Sequence, residues 1–223
     1  MTTIHTKSVD CAVCFSATEI TLLGSTNAFG SMDLDMRPPP MERDTLQYQI
    51  HRCPTCGFCG PRLAWFEGLD VSLVKDSNYL AILSDKAYPA LANQFRAHAF
   101  LSSMANNQVA AIGAYLKAAW VCDDLGTLEA VAIACRQQVL NSMNVLRGSG
   151  GFYTDDLITD HVLRADLLRR SKQFDVAVQH ISALTKKKLP EVLLQILNFQ
   201  ARLCASKDDA CYQVSDAMSE VDS

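Results

Sequence analysis

The sequence has no apolar run that approaches the roughly 20 residues a membrane-spanning helix needs. Its first ten residues are polar and contain no signal-peptide core. These two absences predict a soluble protein of the cytoplasm with no membrane contact. The 223 residues suffice for one large domain, or for a small module joined to a larger one.

The common catalytic motifs are also missing. The chain contains no zinc-protease helix motif, no nucleophile elbow, no phosphate-binding P-loop and no dinucleotide-binding fingerprint. The one glycine-rich stretch, 148–151, follows no predicted strand and precedes no Lys-Ser/Thr pair, so it predicts a flexible turn. We therefore predict a protein that is not an enzyme and has no catalytic residues.

An acidic cluster at the start of one predicted helix is the nearest approach to a catalytic set. Asp155, Asp156, Asp160 and His161 could be read as an acid–base or metal cluster. Acids at a helix N-terminus stabilise the helix dipole, however, and Asp160 and His161 would lie on adjacent faces in mid-helix. We interpret the cluster as structural.

A surplus of positive charge is absent as well. The net charge is -4, and residues 1–65 hold five basic and six acidic side chains. Proteins that bind nucleic acid usually present a basic surface, because neutralising phosphates supplies much of the affinity. Nucleic acid is therefore a disfavoured partner.

Cysteine is plentiful, but its distribution does not suit a secreted disulfide framework. Five of the nine cysteines lie in two short clusters near the N-terminus, and such pairs in a cytosolic chain more often bind metal than form disulfides. The remaining four are scattered through apolar helical contexts, where we expect small buried side chains. These four are Cys122, Cys135, Cys204 and Cys211.

The two clusters predict one structural Zn²⁺ per chain. Cys11-Ala-Val-Cys14 and Cys53-Pro-Thr-Cys56 each fit a tight turn that directs two thiolates at one ion. Gly57 supplies the positive φ that such a turn tends to need. Four thiolates complete a tetrahedral site and leave no position for water, so the predicted site is structural and not catalytic.

Cys59 and His51 leave alternatives open. Cys53, Cys56 and Cys59 form a C-x₂-C-x₂-C pattern that also occurs in iron–sulfur proteins. His51 could replace one thiolate ligand, and Cys59 could act as a reactive thiol near the metal. We expect instead that Cys59 is a small packing residue and that His51 faces solvent.

The hydrophobic pattern divides the chain into two predicted domains. Residues 1–66 lack helical periodicity, and the apolar segments 20–23 and 46–50 predict short strands of a metal-binding ribbon. Residues 67–223 show helical spacing and predict an α-helical, tetratricopeptide-like domain. The expected helices span 69–83, 89–104, 107–124, 127–147, 154–171, 174–187, 190–205 and 208–219.

Consecutive helices with short connections pack as antiparallel hairpins. Within the pair formed by residues 154–187, Phe174 is expected at the turn and the small Ala177 at the helix crossing. An ordinary helical bundle without repeat geometry is the alternative. The arginines Arg164, Arg169 and Arg170 of this pair could form a basic stripe with Lys172, although we favour a plain solvated face.

These features resemble a bacterial family of uncharacterised proteins that is known only as a domain of unknown function. The resemblance rests on both cysteine pairs, on Arg43-Asp44 and Tyr48 before the second pair, and on the stretches 118–126 and 167–177. It implies a Cys₄ zinc ribbon followed by tetratricopeptide-like helices, and it implies no biochemical activity. The chain departs from the family in Cys59, in the Pro38–Pro40 run and in lacking a proline in its first cysteine pair.

The sequence thus favours a non-catalytic scaffold that binds a protein or peptide through stacked helices. Two other functions stay open, namely a nucleic-acid-associated zinc-ribbon regulator and a metal or redox sensor. Neither the residues that contact a partner nor the oligomeric state follows from the pattern.

Overall fold

The computed structural model describes residues 1–68 and 70–219. The mainly α-helical class predicted from the sequence is confirmed, together with a small N-terminal antiparallel sheet. The strands are β1 (Thr3–Asp10), β2 (Ala17–Ser25), β3 (His51–Arg52) and β4 (Cys59–Gly60). The helices are α1 (Ser77–Ser84), α2 (Ala90–Met104), α3 (Gln108–Asp123), α4 (Glu129–Gly148), α5 (Leu157–Arg170), α6 (Phe174–Leu184), α7 (Glu191–Ala205) and α8 (Val214–Ser219).

Three predicted elements differ from the structure, and the first is the apolar segment 46–50. Residues 46–50 lie partly in a 3-10 helix, Arg43–Tyr48, and not in a strand. Leu46 lies within this 3-10 helix and Ile50 lies two residues beyond its end, and both are buried. An apolar run this short does not distinguish a strand from a helical turn.

The first predicted helix is divided in the structure. A 3-10 helix covers Val71–Lys75, and α1 then starts afresh after Asp76. The Asp76 carboxylate accepts a hydrogen bond from the backbone N–H of Asn78, so it caps α1 and interrupts the helix. Leu69, the predicted first residue, lies outside the described residues.

The last predicted helix begins later than expected. Residues 208–213 are not helical, and Gln213 forms an antiparallel bridge with Asp33 before α8 starts. The Leu34 N–H donates to the Tyr212 carbonyl at 2.9 Å, and the Val214 N–H donates to the Met32 carbonyl at 2.9 Å. The backbone of this segment is therefore hydrogen-bonded to residues 32–34 of the same chain. The hydrophobic periodicity of the sequence does not indicate such a long-range contact.

The chain divides into two compact units. One contains Met1–Ala28 and Pro40–Ser142, and the other contains Phe29–Pro39 and Met143–Ser223. The predicted boundary at residue 66 separates a metal-binding module from a helical domain, and it stays a prediction.

The first unit has one core shared by the cysteine loops and the early helices. Cys53, Phe58 and Leu63 are fully buried there with Tyr79 of α1 and Leu101 of α2. Within this unit α2 packs along α3 and against both α1 and β4. The helices therefore form the support on which the second cysteine loop rests.

The second unit is a stack of helical hairpins. Helix α6 packs against both α5 and α7, and α5 also contacts α7. Ala177 is fully buried on α6 and Phe174 is half-buried at its start, as the predicted hairpin requires. Contacts of this kind are consistent with helical hairpins, while repeat geometry of the tetratricopeptide type remains a prediction.

At Arg169 and Arg170 both the basic stripe and the solvated face that we favoured are wrong, whereas Lys172 is exposed as expected. Arg169 and Arg170 are buried, and they form ion pairs with Asp166 at 2.6 Å and with Asp35 at 2.5 Å. Buried charges need such partners because removal from water is costly. Sequence spacing alone does not show that Asp35, 135 residues away, supplies one of them.

No helix among the described residues combines the length and the apolar character that crossing a lipid bilayer would require.

Candidate metal centre

The first cysteine pair forms the loop of a β-hairpin. Strand β1 ends at Asp10 and β2 begins at Ala17, so residues 11–16 make the connection. The Cys11 N–H donates to the Ser16 carbonyl at 3.0 Å, and the Phe15 N–H donates to the Cys11 carbonyl at 2.9 Å. Phe15 has a φ of 59°, in the left-handed region.

The second pair repeats this geometry. Strands β3 and β4 flank residues 53–58, the Cys53 N–H donates to the Phe58 carbonyl at 2.8 Å, and the Gly57 N–H donates to the Cys53 carbonyl at 3.0 Å. Gly57 has a φ of 78°, as predicted from its place after the second cysteine. Both cysteine pairs therefore lie in hairpin loops of one design, which we call the first and second knuckles.

The structure brings the four predicted cysteines together. Their sulfur atoms all lie within 4.8 Å of one another, and the Cys11–Cys56 and Cys14–Cys53 pairs are each 3.6 Å apart. A Zn–S bond of about 2.3 Å places the sulfurs of a regular tetrahedron about 3.8 Å apart. All four are free thiols. The four side chains can therefore hold one metal ion.

Hydrogen-bond donors surround the sulfurs. The Val13 N–H donates to the Cys11 Sγ at 3.5 Å, and the Ser16 hydroxyl lies 3.0 Å from the Cys14 Sγ and 3.6 Å from the Cys53 Sγ. Such donors stabilise thiolates and orient metal ligands. Ser16 was not predicted as part of the site. Its contact with Cys53 depends on the folded arrangement of the two knuckles, and a position two residues after Cys14 does not indicate it.

The four thiols differ in acidity. Burial raises the pKa of Cys53, but backbone N–H groups of the second knuckle and the Ser16 hydroxyl outweigh it and lower the pKa to about 6. Hydrogen bonds from Ser16 also lower the pKa of Cys14. Burial raises the pKa values of Cys11 and Cys56. Two sulfurs of the cluster thus favour the thiolate form that a metal ligand requires.

Cys59 lies beside this cluster and is not part of it. Its side chain is fully buried, its thiol donates to the Gly57 carbonyl at 3.4 Å, and burial raises its pKa to about 12. The Cys59 N–H is held by the Tyr79 hydroxyl at 2.9 Å, and this hydroxyl donates to the Gly57 carbonyl at 3.0 Å. Cys59 therefore has the surroundings of a packing residue.

His51 is also outside the cluster. It is buried with 8% of its surface exposed, whereas we expected it to face solvent. Burial lowers the pKa of its imidazole, which favours the neutral form. As a residue of β3, it pairs with Gly60 of β4 and so helps to form the second hairpin.

The acidic cluster 155–161 has structural roles. Asp156 caps α5 by accepting hydrogen bonds from the N–H groups of Ile158 and Thr159. Asp160 is buried in an ion pair with Arg147 at 2.7 Å. These contacts account for the carboxylates of Asp156 and Asp160 through helix capping and charge pairing.

No protein-family model, curated protein or solved structure matches this chain. The resemblance to an uncharacterised bacterial family therefore stays a prediction.

Proposed function

We propose that this protein is a non-catalytic zinc-binding scaffold. In this proposal Cys11, Cys14, Cys53 and Cys56 hold one structural Zn²⁺, and the hairpins of the second unit bind a protein or peptide partner. The observation that carries the proposal is the convergence of four cysteine sulfurs within 4.8 Å from two knuckles of the same design.

Zinc is the ion that these ligands favour. Tetrahedral sites with four sulfurs are typical of zinc or of iron–sulfur centres. The sulfur spacing suits a single ion, and Cys59 is held away from the cluster by its contacts with Gly57 and Tyr79, so the C-x₂-C-x₂-C alternative loses its third ligand. Four protein ligands leave no open coordination position, which favours a structural role over catalysis.

The proposed metal would hold the first unit together. The two knuckles are 42 residues apart in sequence, and each belongs to a hairpin of only two strands, which has little stability alone. One ion would join them, and the second knuckle in turn is clamped to α1 by Tyr79. Zinc binding to such a module contributes directly to its folding free energy.

The partner surface is proposed on the hairpins of the second unit. Helices α6 and α7 expose the valines Val176 and Val192, whose exposed fractions are 48% and 51%. Single exposed apolar residues are common, but one on each of two packed helices would provide apolar contacts for a partner helix or an extended peptide. Cys59, fully buried, does not have the exposure that a redox sensor requires.

Affinity capture from the native host tests the partner surface. The tagged protein is compared with a Val176→Lys/Val192→Lys variant and with a matched Val71→Lys/Val109→Lys variant, whose valines are exposed to similar extents in the first unit. We expect the wild type and the matched control to capture the same partner and the Val176/Val192 variant to lose it. Identical capture by all three proteins would contradict the proposed surface.

A further inference from the structure

A cavity of about 350 Å³ opens in the first unit, between the loop after the second knuckle and helices α2 and α3. Its lining is mixed, since apolar side chains such as Pro61, Trp65 and Phe66 lie beside polar and charged ones. Cavities that bind small molecules typically measure about 300–1,000 Å³ and combine apolar walls with a few polar groups. This cavity is therefore large enough for a ligand with a single aromatic ring.

The inner wall carries an unpartnered hydroxyl. Ser102 of α2 is fully buried, and its Oγ has no hydrogen-bond partner among the described residues. Other serines within or just after helices, such as Ser84 and Ser206, donate to the carbonyl four residues earlier. Ser102 does not make this bond. A buried hydroxyl without a partner is costly, so a ligand that bonds to it would gain affinity.

One helical turn before Ser102, His98 adds a second unpartnered atom. Its imidazole has the backbone of Cys59 as a hydrogen-bond partner. Because the Cys59 N–H already binds Tyr79, we assign this partner as the carbonyl oxygen, which accepts from the Nε2–H tautomer. The other ring nitrogen, Nδ1, is buried with no partner among residues 1–68 and 70–219. Burial, together with the charge of Lys117, lowers the pKa of His98 to about 4, so the imidazole is neutral at neutral pH. In the assigned Nε2–H tautomer Nδ1 carries the lone pair.

The charges at the cavity mouth are balanced. Arg62 and Glu67 both line the cavity and both are exposed, so the mouth does not select strongly for an anion or a cation. Trp65 is 57% exposed beside them, with the Arg62 guanidinium 6.0 Å from its ring centroid. A neutral aromatic ligand suits this arrangement better than a charged one.

We propose that this cavity is a binding site for a small neutral phenol. The aromatic ring would lie against Trp65 and Phe66, and the phenolic hydroxyl would donate to His98 Nδ1 and accept from the Ser102 hydroxyl. A phenol suits both atoms at once because its O–H is a donor and an acceptor. This inference is independent of the scaffold function, since it uses none of the proposed metal ligands or exposed valines.

Titration of the isotope-labelled, metal-loaded protein tests the site. The probes are p-cresol and toluene, which differ only in the hydroxyl, and the readout is the indole N–H signal of Trp65. The chain has two tryptophans, and a Trp65→Phe variant identifies which signal belongs to Trp65. We expect p-cresol to shift this signal and to bind at least about tenfold more tightly than toluene.

The matched variants are Ser102→Ala and Ser103→Ala, neighbours on α2 of which only Ser102 lines the cavity. Ser102→Ala is expected to reduce the preference for p-cresol by about tenfold, and Ser103→Ala to leave it unchanged. Equal affinity for both probes, an unchanged Trp65 signal or a preference that survives Ser102→Ala would each overturn the proposal.

A third probe, N-acetyl-tyrosinamide, distinguishes a free phenol from the side chain of a tyrosine in a peptide. If N-acetyl-tyrosinamide bound more tightly than p-cresol, the natural ligand would be a tyrosine side chain, and our assignment of a small phenol would be wrong.

Discussion

Among single residues, the two knuckles differ most clearly at the position after their second cysteine. Phe15 and Gly57 occupy equivalent places and both have a positive φ. Glycine adopts this conformation freely, whereas a residue with a Cβ pays about 1–2 kcal/mol. Phe15 is 79% exposed, so its ring recovers little of that cost through packing.

We therefore expect Phe15→Gly to raise the free energy of unfolding of the first unit by about 1 kcal/mol, and Gly57→Ala to lower it by about the same amount. Denaturant unfolding of the metal-loaded proteins at one fixed free-zinc concentration measures both. At Gly57 an added Cβ would lie 3.4 Å from the Leu83 Cδ1, so backbone strain and not a clash should dominate. A loss of stability in Phe15→Gly would contradict the equivalence of the two knuckles.

His161 gives a prediction about pH. Burial lowers its pKa to about 4, helped by Arg147, whose side-chain nitrogen lies 3.3 Å from the His161 Nδ1. The unfolded chain, with a histidine pKa near 6.5, then binds more protons than the folded chain between these two values. Stability from His161 is therefore complete above about pH 6.5 and is lost as the pH falls towards 4.

A His161→Asn variant keeps an acceptor near the Nδ1 position but does not titrate. We expect the wild type to lose more stability between pH 7 and pH 5 than this variant does. Parallel thermal melts at both pH values measure the difference, and comparing the two proteins cancels acid effects elsewhere in the chain. An equal loss in both proteins would show that His161 is not protonated on unfolding in this range.

The four clustered cysteines could be predicted from the sequence because two cysteines separated by two residues fit the tight turn that binds a metal ion. The same spacing does not predict that Tyr79 and Ser16 contact the knuckles. Tyr79 acts on backbone atoms of the second knuckle from 20 residues away, and Ser16 reaches Cys53 only after the knuckles converge. Contacts that depend on tertiary structure leave no periodic signal in the chain.

At the level of whole elements, the long helices follow their hydrophobic spacing closely. Predictions for α2, α3 and α7 agree with the structure to within one residue at each end. Pro89 and Pro190 each immediately precede a helix, where their fixed φ is compatible with the first turn. The short elements were predicted less well, because capping by Asp76 and the bridge between Asp33 and Gln213 decide their limits.

The α5–α6–α7 stack depends on a small residue at a helix crossing. Ala177 is fully buried, whereas Ala183 on the same helix is exposed. Ala177→Leu should overpack the crossing and lower the free energy of unfolding by about 1–3 kcal/mol. Ala183→Leu, the same enlargement at an exposed position, should change it by less than about 0.5 kcal/mol. Denaturant unfolding that gave equal effects for both variants would contradict the packing of α6.

For the molecule as a whole, contacts distant in sequence determine which segments belong together. The segment 29–39 lies between the two knuckles in sequence, yet it packs in the second unit. Asp35 is buried there against Arg170, and Leu34 is hydrogen-bonded to Tyr212. The change from irregular to helical pattern near residue 66 is visible in the sequence, but this long-range packing is not.

The proposed metal joins parts of the first unit that lie far apart in the chain. Its ligands come from both knuckles, and the core around Cys53 includes residues of α1 and α2. Loss of the metal should therefore loosen this core as well as the hairpins. The central claim is that one zinc ion, held by Cys11, Cys14, Cys53 and Cys56, has this role.

The most direct test is elemental analysis of the purified protein, with Cys56→Ser and Cys59→Ser as matched variants three residues apart. We predict one zinc per chain in the wild type and in Cys59→Ser, and a loss of zinc in Cys56→Ser. The cluster of four sulfurs includes Cys56 and excludes Cys59, which is why the two variants should differ. Iron in place of zinc, no metal in the wild type, or loss of metal from Cys59→Ser with retention in Cys56→Ser would contradict the account.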